Sequence, residues 1–263
     1  MTRLQLAVIG GVVLLFLVLY LGCDTKPVSQ KQIEKTRALA VESTSVQVLQ
    51  KEAQAEMSED QISEIAAIDF RLQDPENDST RIENLKLLSG KWYQFGYPAI
   101  AGYYAQEIAE TEGIADSWSI AGTTYTLCIQ QSKQKKVVDF CTARAINAFE
   151  SAISLAPADM ANRVNLALVY TENPPADNPM KGILMLKDLN EEAPENVIVL
   201  NSLGRLAIKT GQYDRAIQRL EKALNSDPEN ISTVCLLASA YQGSGQMEKA
   251  RVFEEKCRQI SSR

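Results

Sequence analysis

Residues 197–230 read VIVLNSLGRLAIKTGQYDRAIQRLEKALNSDPEN and residues 231–263 read ISTVCLLASAYQGSGQMEKARVFEEKCRQISSR, two adjacent units of 34 and 33 residues in which one pattern of small and large side chains keeps its phase. Leu200, Leu203, Gly204, Ala207, Gly211, Tyr213, Ala216, Leu220, Ala223 and Pro228 mark the first unit. Val234, Leu237, Ala238, Tyr241, Gly245, Met247, Ala250 and Cys257 answer them in the second. Apolar residues at three- and four-residue spacing predict two amphipathic helices per unit. Gly211 falls where the first helix must stop, and glycine there is free to take the left-handed backbone that closes a helix. Pro228, after Asp227, ends the second helix. Small residues at Gly204, Ala216, Ala238 and Ala250 let paired helices approach closely. The leucines leave an apolar stripe that one hairpin cannot cover with its own atoms, so neighbouring hairpins must stack.

The phase continues towards the N-terminus. Pro157 stands to Leu166, Ala167 and Tyr170 as Pro194 stands to Leu203, Gly204 and Ala207, so another unit opens near Met160, with Gly182, Leu186, Leu189 and Pro194 on its second helix. Its excess length falls in Asn173 to Pro179, a turn-rich stretch that predicts a protruding loop. An earlier unit carries Trp118, Ala121, Gly122 and Tyr125, then Ala145, Phe149, Ala152 and Pro157. Between its helices, Gln130 to Phe140 exceeds an ordinary turn and is basic at Lys133, Lys135 and Lys136. The faintest unit places Leu85, Leu88, Trp92, Gly96 and Ala101 in register without a closing proline.

In period, turn glycine and closing proline, and most clearly in Trp118, Ala121, Gly122 and Tyr125, this pattern resembles the tetratricopeptide repeat. The resemblance covers residues 82–263 in five units, at about 82–114, 115–159, 160–196, 197–230 and 231–263. It implies an all-α fold, a right-handed α-solenoid of helical hairpins, and a scaffold that binds protein or peptide and is no enzyme. In peptide-binding members the first helices of successive repeats line an inner groove. The matching places here are Lys86 and Gly90, Ser119 and Thr123, Val164 and Leu168, Asn201 and Arg205, and Cys235 and Ser239. The lysine and asparagine set that clamps a terminal carboxylate in chaperone-binding members is not reproduced. Arg205 and Lys209, one turn apart, are spaced to hold an acidic group, although cations on a helix are commonly only solvated. The candidate groove is thus Lys86, Ser119, Thr123, Asn201, Arg205, Lys209 and Ser239.

The N-terminus points to a membrane. Leu6 to Gly22 is an uncharged apolar run close to the shortest length that spans a bilayer, and Arg3 before it predicts that the repeats lie outside the cytoplasm. An uncleaved inner-membrane anchor, with the repeats facing the periplasm, is one reading. A second takes Cys23 as the acylated residue of a bacterial lipoprotein, which the run resembles, although Tyr20 and Leu21 depart from the usual residues before that cysteine, and an ordinary cleaved signal is the third. Residues 1–23 are therefore read as anchor or lipoprotein signal, and 24–81 as a polar helical spacer. Within that spacer, Ser58 to Gln61 has the form of a capping box opening a helix through Ile62, Ile65, Ala66, Ile68 and Phe70, ending before Asp74 and Pro75.

Little in the chain suggests catalysis. It has 263 residues and no histidine, which removes the commonest general base and metal ligand. No phosphate loop, serine-nucleophile motif or paired CxxC occurs, and the five cysteines fit no zinc spacing, so no cofactor or metal is expected. A net charge of −6 argues against nucleic acid as a partner. Cys128, near the end of one helix, and Cys141, near the start of its partner, flank the basic insertion. They are either a disulfide, which an extracytoplasmic location permits, or small buried residues at a helix contact. Glu191, Glu192 and Glu195 read as solvated loop carboxylates, and Trp92 and Trp118 as hairpin core. The leading reading is a membrane-tethered scaffold binding a protein partner on the extracytoplasmic side, in envelope assembly, secretion or cytochrome maturation. The alternative is a structural protein whose repeats stack on copies of themselves, a homo-oligomer in which the groove has no ligand.

Overall fold

The computed structural model describes residues 44–75 and 77–262. The apolar run Leu6 to Gly22, Cys23 and the first part of the spacer lie outside the described residues. Among the described residues there are twelve α-helices and no strand. They are α1 Val46–Gln54, α2 Glu59–Leu72, α3 Asp78–Gln94, α4 Pro98–Glu112, α5 Ala115–Gln131, α6 Lys135–Leu155, α7 Met160–Glu172, α8 Lys181–Glu192, α9 Val197–Lys209, α10 Tyr213–Ser226, α11 Ile231–Gly243 and α12 Met247–Ser261. No described helix is long and apolar enough to cross a membrane.

From α3 onwards each odd helix pairs with the even helix after it, giving five antiparallel hairpins. Each hairpin stacks on the next: α4 on α5, α6 on α7, α8 on α9, and α10 on α11. The first helices of neighbouring hairpins also touch, α5 with α7, α7 with α9 and α9 with α11. The result is an α-solenoid of stacked helical hairpins.

Local chemistry fixes both ends of the hairpins. Gly96, Gly211 and Gly245 have φ of 88, 72 and 79°. Beside each, an amide bonds back to a carbonyl five residues earlier: Tyr97 to Trp92 at 2.9 Å, Gln212 to Ala207 at 2.8 Å and Gln246 to Tyr241 at 2.9 Å. That bond closes a helix whose next residue is left-handed, a conformation that glycine adopts without steric penalty. At the opposite end, Asn77, Asp159, Asn196 and Asn230 cap α3, α7, α9 and α11 through their side-chain oxygens, satisfying amides that a helix start leaves unpaired. The first hairpin therefore begins at Asp78, a turn ahead of the sequence reading.

The core follows the stack. One cluster runs from Val46 and Ile65 through Leu88, Trp92, Tyr125, Phe140 and Phe149 to Val169. A second joins Val164, Leu186 and Leu189 to Val199 and Leu203, and a third holds Ala216, Leu220, Leu237, Tyr241 and Ala250. Trp92 is fully buried and Trp118 is half-buried against Ala105, Ala121 and Ala148, both as core.

Two expectations meet a different geometry. Gln130 to Phe140 is not an extended insertion: α5 and α6 each run on until only residues 132–134 separate them. Two of its three lysines are paired, Lys135 with Asp139 at 2.7 Å and Lys136 with Glu52 at 2.5 Å. Glu191 and Glu192 lie in the last turn of α8, where Lys187 and Arg163 pair with them. The loop after α7 does protrude, over residues 173–180. The Ser58–Gln61 capping box is present, and α2 ends at Leu72.

Residues 44–72 fall in the stretch read as spacer. In the structure α2 packs on α3 and α1 on α4, burying Val46, Leu49, Ala53, Ile65 and Ile68 in the core. Gln50 donates to the Tyr104 hydroxyl at 2.9 Å, which in turn donates to Asp69 at 3.5 Å, so one tyrosine ties both helices to α4. Burial raises the Asp69 carboxyl and the Tyr104 phenol above their ordinary pKa values.

Candidate partner-binding groove

The candidate row runs along α3, α5, α7, α9 and α11, and from α5 onwards the first helices of adjacent hairpins lie side by side. Along α5, Thr123 is exposed and Ser119 half-buried; the Thr123 hydroxyl donates to the Ser119 carbonyl at 2.8 Å. Arg205 and Lys209 are exposed on α9, and within the described residues they make no ion pair. Ser239 is exposed on α11, its hydroxyl 3.3 Å from the Cys235 carbonyl. Ile198, 45% exposed, lies on the Arg205 face of α9 one turn below Ser202, so this part of the row joins an apolar contact to two cations.

Other candidates are already occupied. Lys86 is exposed but pairs with Glu112 at 3.1 Å. A hydrogen bond from Ser117 and then the Lys86 ammonium hold the Glu112 carboxyl below the usual carboxylate range. Asn201 is 7% exposed and bridges two hairpins. It donates to the Asn230 side chain at 3.3 Å and accepts from Thr233 at 2.9 Å, so its amide holds α9 against α11 and is not offered to a partner. Val164 is buried and Gly90 exposed, while Leu168 and Cys235 are half-buried. The groove candidates thus reduce to the short hydroxyls of α5 and α11 and the cations of α9.

Two disulfides clamp the repeats. Cys128 and Cys141 are joined at 2.01 Å with Cα atoms 6.2 Å apart, locking α5 to α6 beside their turn. Cys235 and Cys257 are likewise joined, with Cα atoms 5.1 Å apart, at the opposite end of the hairpin formed by α11 and α12. The repeat register hides the second bridge, because it places Cys235 in the groove and Cys257 at the small-residue place of Ala223. The signal that reveals it is the near-equal distance of the two cysteines from the turn at Gly245, which sets them roughly opposite each other on the two arms of one hairpin. Among the described residues no group of three or more acidic or cysteine side chains is placed to hold a metal ion.

Stacked helical hairpins with a solvent-facing row on their first helices define a helical-repeat protein. A family model described as "Tetratricopeptide repeat" matches residues 181–234 and 207–253. Residues 181–253 carry tetratricopeptide repeats. It is 26% identical over 84 residues to "Tetratricopeptide repeat protein 8" of Caenorhabditis elegans, a match that takes in 32% of this chain and 17% of that relative, so the chain spans only a small part of the relative's length. Similar solved structures include MamA (residue 41 to the end) from Desulfovibrio magneticus RS-1, at 17% identity and a TM-score of 0.41 over 69% of this chain and 95% of that one. A thermophilic TPR protein from Thermus thermophilus aligns at 18% identity and a TM-score of 0.49, over 68% and 89% of the two chains. YrrB, titled a TPR protein with an unusual peptide-binding site, aligns at 16% identity and a TM-score of 0.37, over 70% and 92%.

Proposed function

We propose that this protein is a membrane-tethered scaffold that binds a protein or peptide partner on the extracytoplasmic side, serving envelope assembly, secretion or cytochrome maturation. The observation that carries the binding reading is the inner row itself. Thr123, Arg205, Lys209 and Ser239 are exposed on stacked first helices whose other faces are closed in the core. Short hydroxyls at repeat positions matching those of two cations suit an extended segment with an acidic side chain, since charge-assisted bonds to a carboxylate are stronger than neutral ones. The location is supported by the apolar run Leu6 to Gly22 behind Arg3 and by the two disulfides, which persist in oxidising compartments and are rare in reducing ones.

The location is tested by a reporter that is active only in the cytoplasm, fused after Arg263. It is expected to be silent, and activity would reject the extracytoplasmic reading. Fatty-acid labelling of the wild type and a Cys23→Ser variant then separates the two forms of tether. Label lost with Cys23 means a lipoprotein, and no label in either, with the chain retained in the membrane fraction at its full mass, means an uncleaved anchor.

A further inference from the structure

A cavity of about 210 Å³ lies apart from the inner row, enclosed by α1, the turn between α3 and α4, and the joined ends of α5 and α6. It exists because of three departures from a plain repeat: the added helix α1, the extension of α5 and α6 beyond their turn position, and the Cys128–Cys141 bridge that fixes the extension. Buried Leu49, Ala53, Pro98, Ala99, Ile100 and Cys128 form an apolar floor. Its rim is polar and exposed, carrying Glu52, Glu56, Gln131 and Gln134. Tyr97 stands between floor and rim, donating its hydroxyl to the Ala53 carbonyl at 3.4 Å.

Size and charge narrow the occupant. Pockets for drug-sized molecules run from about 300 Å³ upwards, whereas an apolar cavity of about 150 Å³ accepts a benzene-sized group. This one therefore fits a side chain better than a cofactor. Glu52 is neutralised by Lys136 at 2.5 Å, but Glu56 makes no ion pair within the described residues, so the α1 side of the mouth keeps one unpaired carboxylate. The Gln131 and Gln134 amides each offer donors and an acceptor, the complement of a peptide backbone.

We propose that this cavity takes an aliphatic side chain of an extended, basic peptide segment. The side chain fills the apolar floor, the backbone bonds to Gln131 and Gln134, and a neighbouring lysine or arginine meets Glu56. The site shares no residue with the inner row and stands or falls separately from it.

The test is fluorescence anisotropy of the full chain in detergent with a labelled nonapeptide that has a central leucine flanked by lysines. Replacing its leucine with glycine keeps the charge and is expected to weaken binding at least tenfold, the scale of burying one aliphatic side chain. Glu56→Gln, at an exposed rim position, is expected to weaken binding of the leucine peptide by about two- to fivefold. Ala99→Leu, which fills the floor, is expected to abolish binding, with a thermal melt confirming that the variant is folded. No binding by the wild type overturns the proposal, as does equal binding of the leucine and glycine peptides, which would mark attraction to the acidic chain as a whole. Dimerisation of the wild type that Ala99→Leu abolishes would assign the cavity to a second copy and overturn it too.

Discussion

Single atoms decide how closely the helices sit. A Cβ on Gly182 would run into the Ala167 carbonyl and the Thr171 amide, backbone groups that cannot step aside. One on Gly204 would meet the Leu220 side chain, with Cγ at 2.7 Å, and a leucine can turn. Gly182→Ala is therefore expected to cost about 1–3 kcal/mol and Gly204→Ala less, in paired urea melts; equal costs would contradict the packing. The Tyr241 hydroxyl donates to Glu221 at 2.6 Å, and burial, then that bond, pushes its pKa from 10.0 up to about 12. A raised pKa means that the folded chain holds the proton more tightly than the unfolded one. The contribution is full below about pH 10 and is lost as pH climbs through the folded value. The stability gap between wild type and Tyr241→Phe, about 1 kcal/mol at neutral pH, is thus expected to shrink between about pH 9 and 12. A gap independent of pH would exclude this origin. At this scale the sequence was legible for small residues and turn glycines, which answer to local sterics. It was not legible for Asn201, because only the arrival of Asn230 and Thr233 from the next hairpin shows that its amide is spent.

Among the described helices, α12 is the least buried. Helix α12 fully buries Ala250 alone, so its attachment rests on partial contacts from Phe253 and on the Cys235–Cys257 bridge. Closing a loop with a sequence separation of 22 contributes roughly 3 kcal/mol on the chain-entropy account. Cys235→Ser with Cys257→Ser is expected to speed hydrogen exchange in α11 and α12 while leaving α5 and α6 protected, since repeat stability is carried by neighbours. Uniform loss across all the repeats would show a single cooperative unit instead. Helix existence and pairing from α3 to α12 could be read from periodicity. The place of α2 was also written in the chain, as Pro75-Glu76-Asn77 repeats the proline-to-cap spacing of Pro157 with Asp159, Pro194 with Asn196 and Pro228 with Asn230. The spacing marks the end of a helix that fills the second-helix position before α3. Helix α1 fell inside the stretch read as a helical spacer, but its packing could not be read there, because its short apolar face gains meaning only against α4.

For the molecule as a whole, the described hairpins pack in one continuous run and leave an exposed row along their first helices. Period and punctuation made the solenoid readable, because each hairpin must bury its stripe against the next. The groove was readable only as a row of positions, since exposure along it depends on neighbours far away in sequence: Lys86 is spent on Glu112, while Arg205 and Lys209 are not paired within the described residues. The central claim is that this row holds the partner. It is tested most directly by placing a photo-crosslinking amino acid in living cells at Thr123, Arg205 or Ser239, and at Gln218 and Arg258 as exposed positions off the row. The account predicts one shared adduct from the three inner positions and none from the other two. Adducts confined to Arg258, with the mass of a second copy of this chain, would contradict it and establish end-to-end assembly.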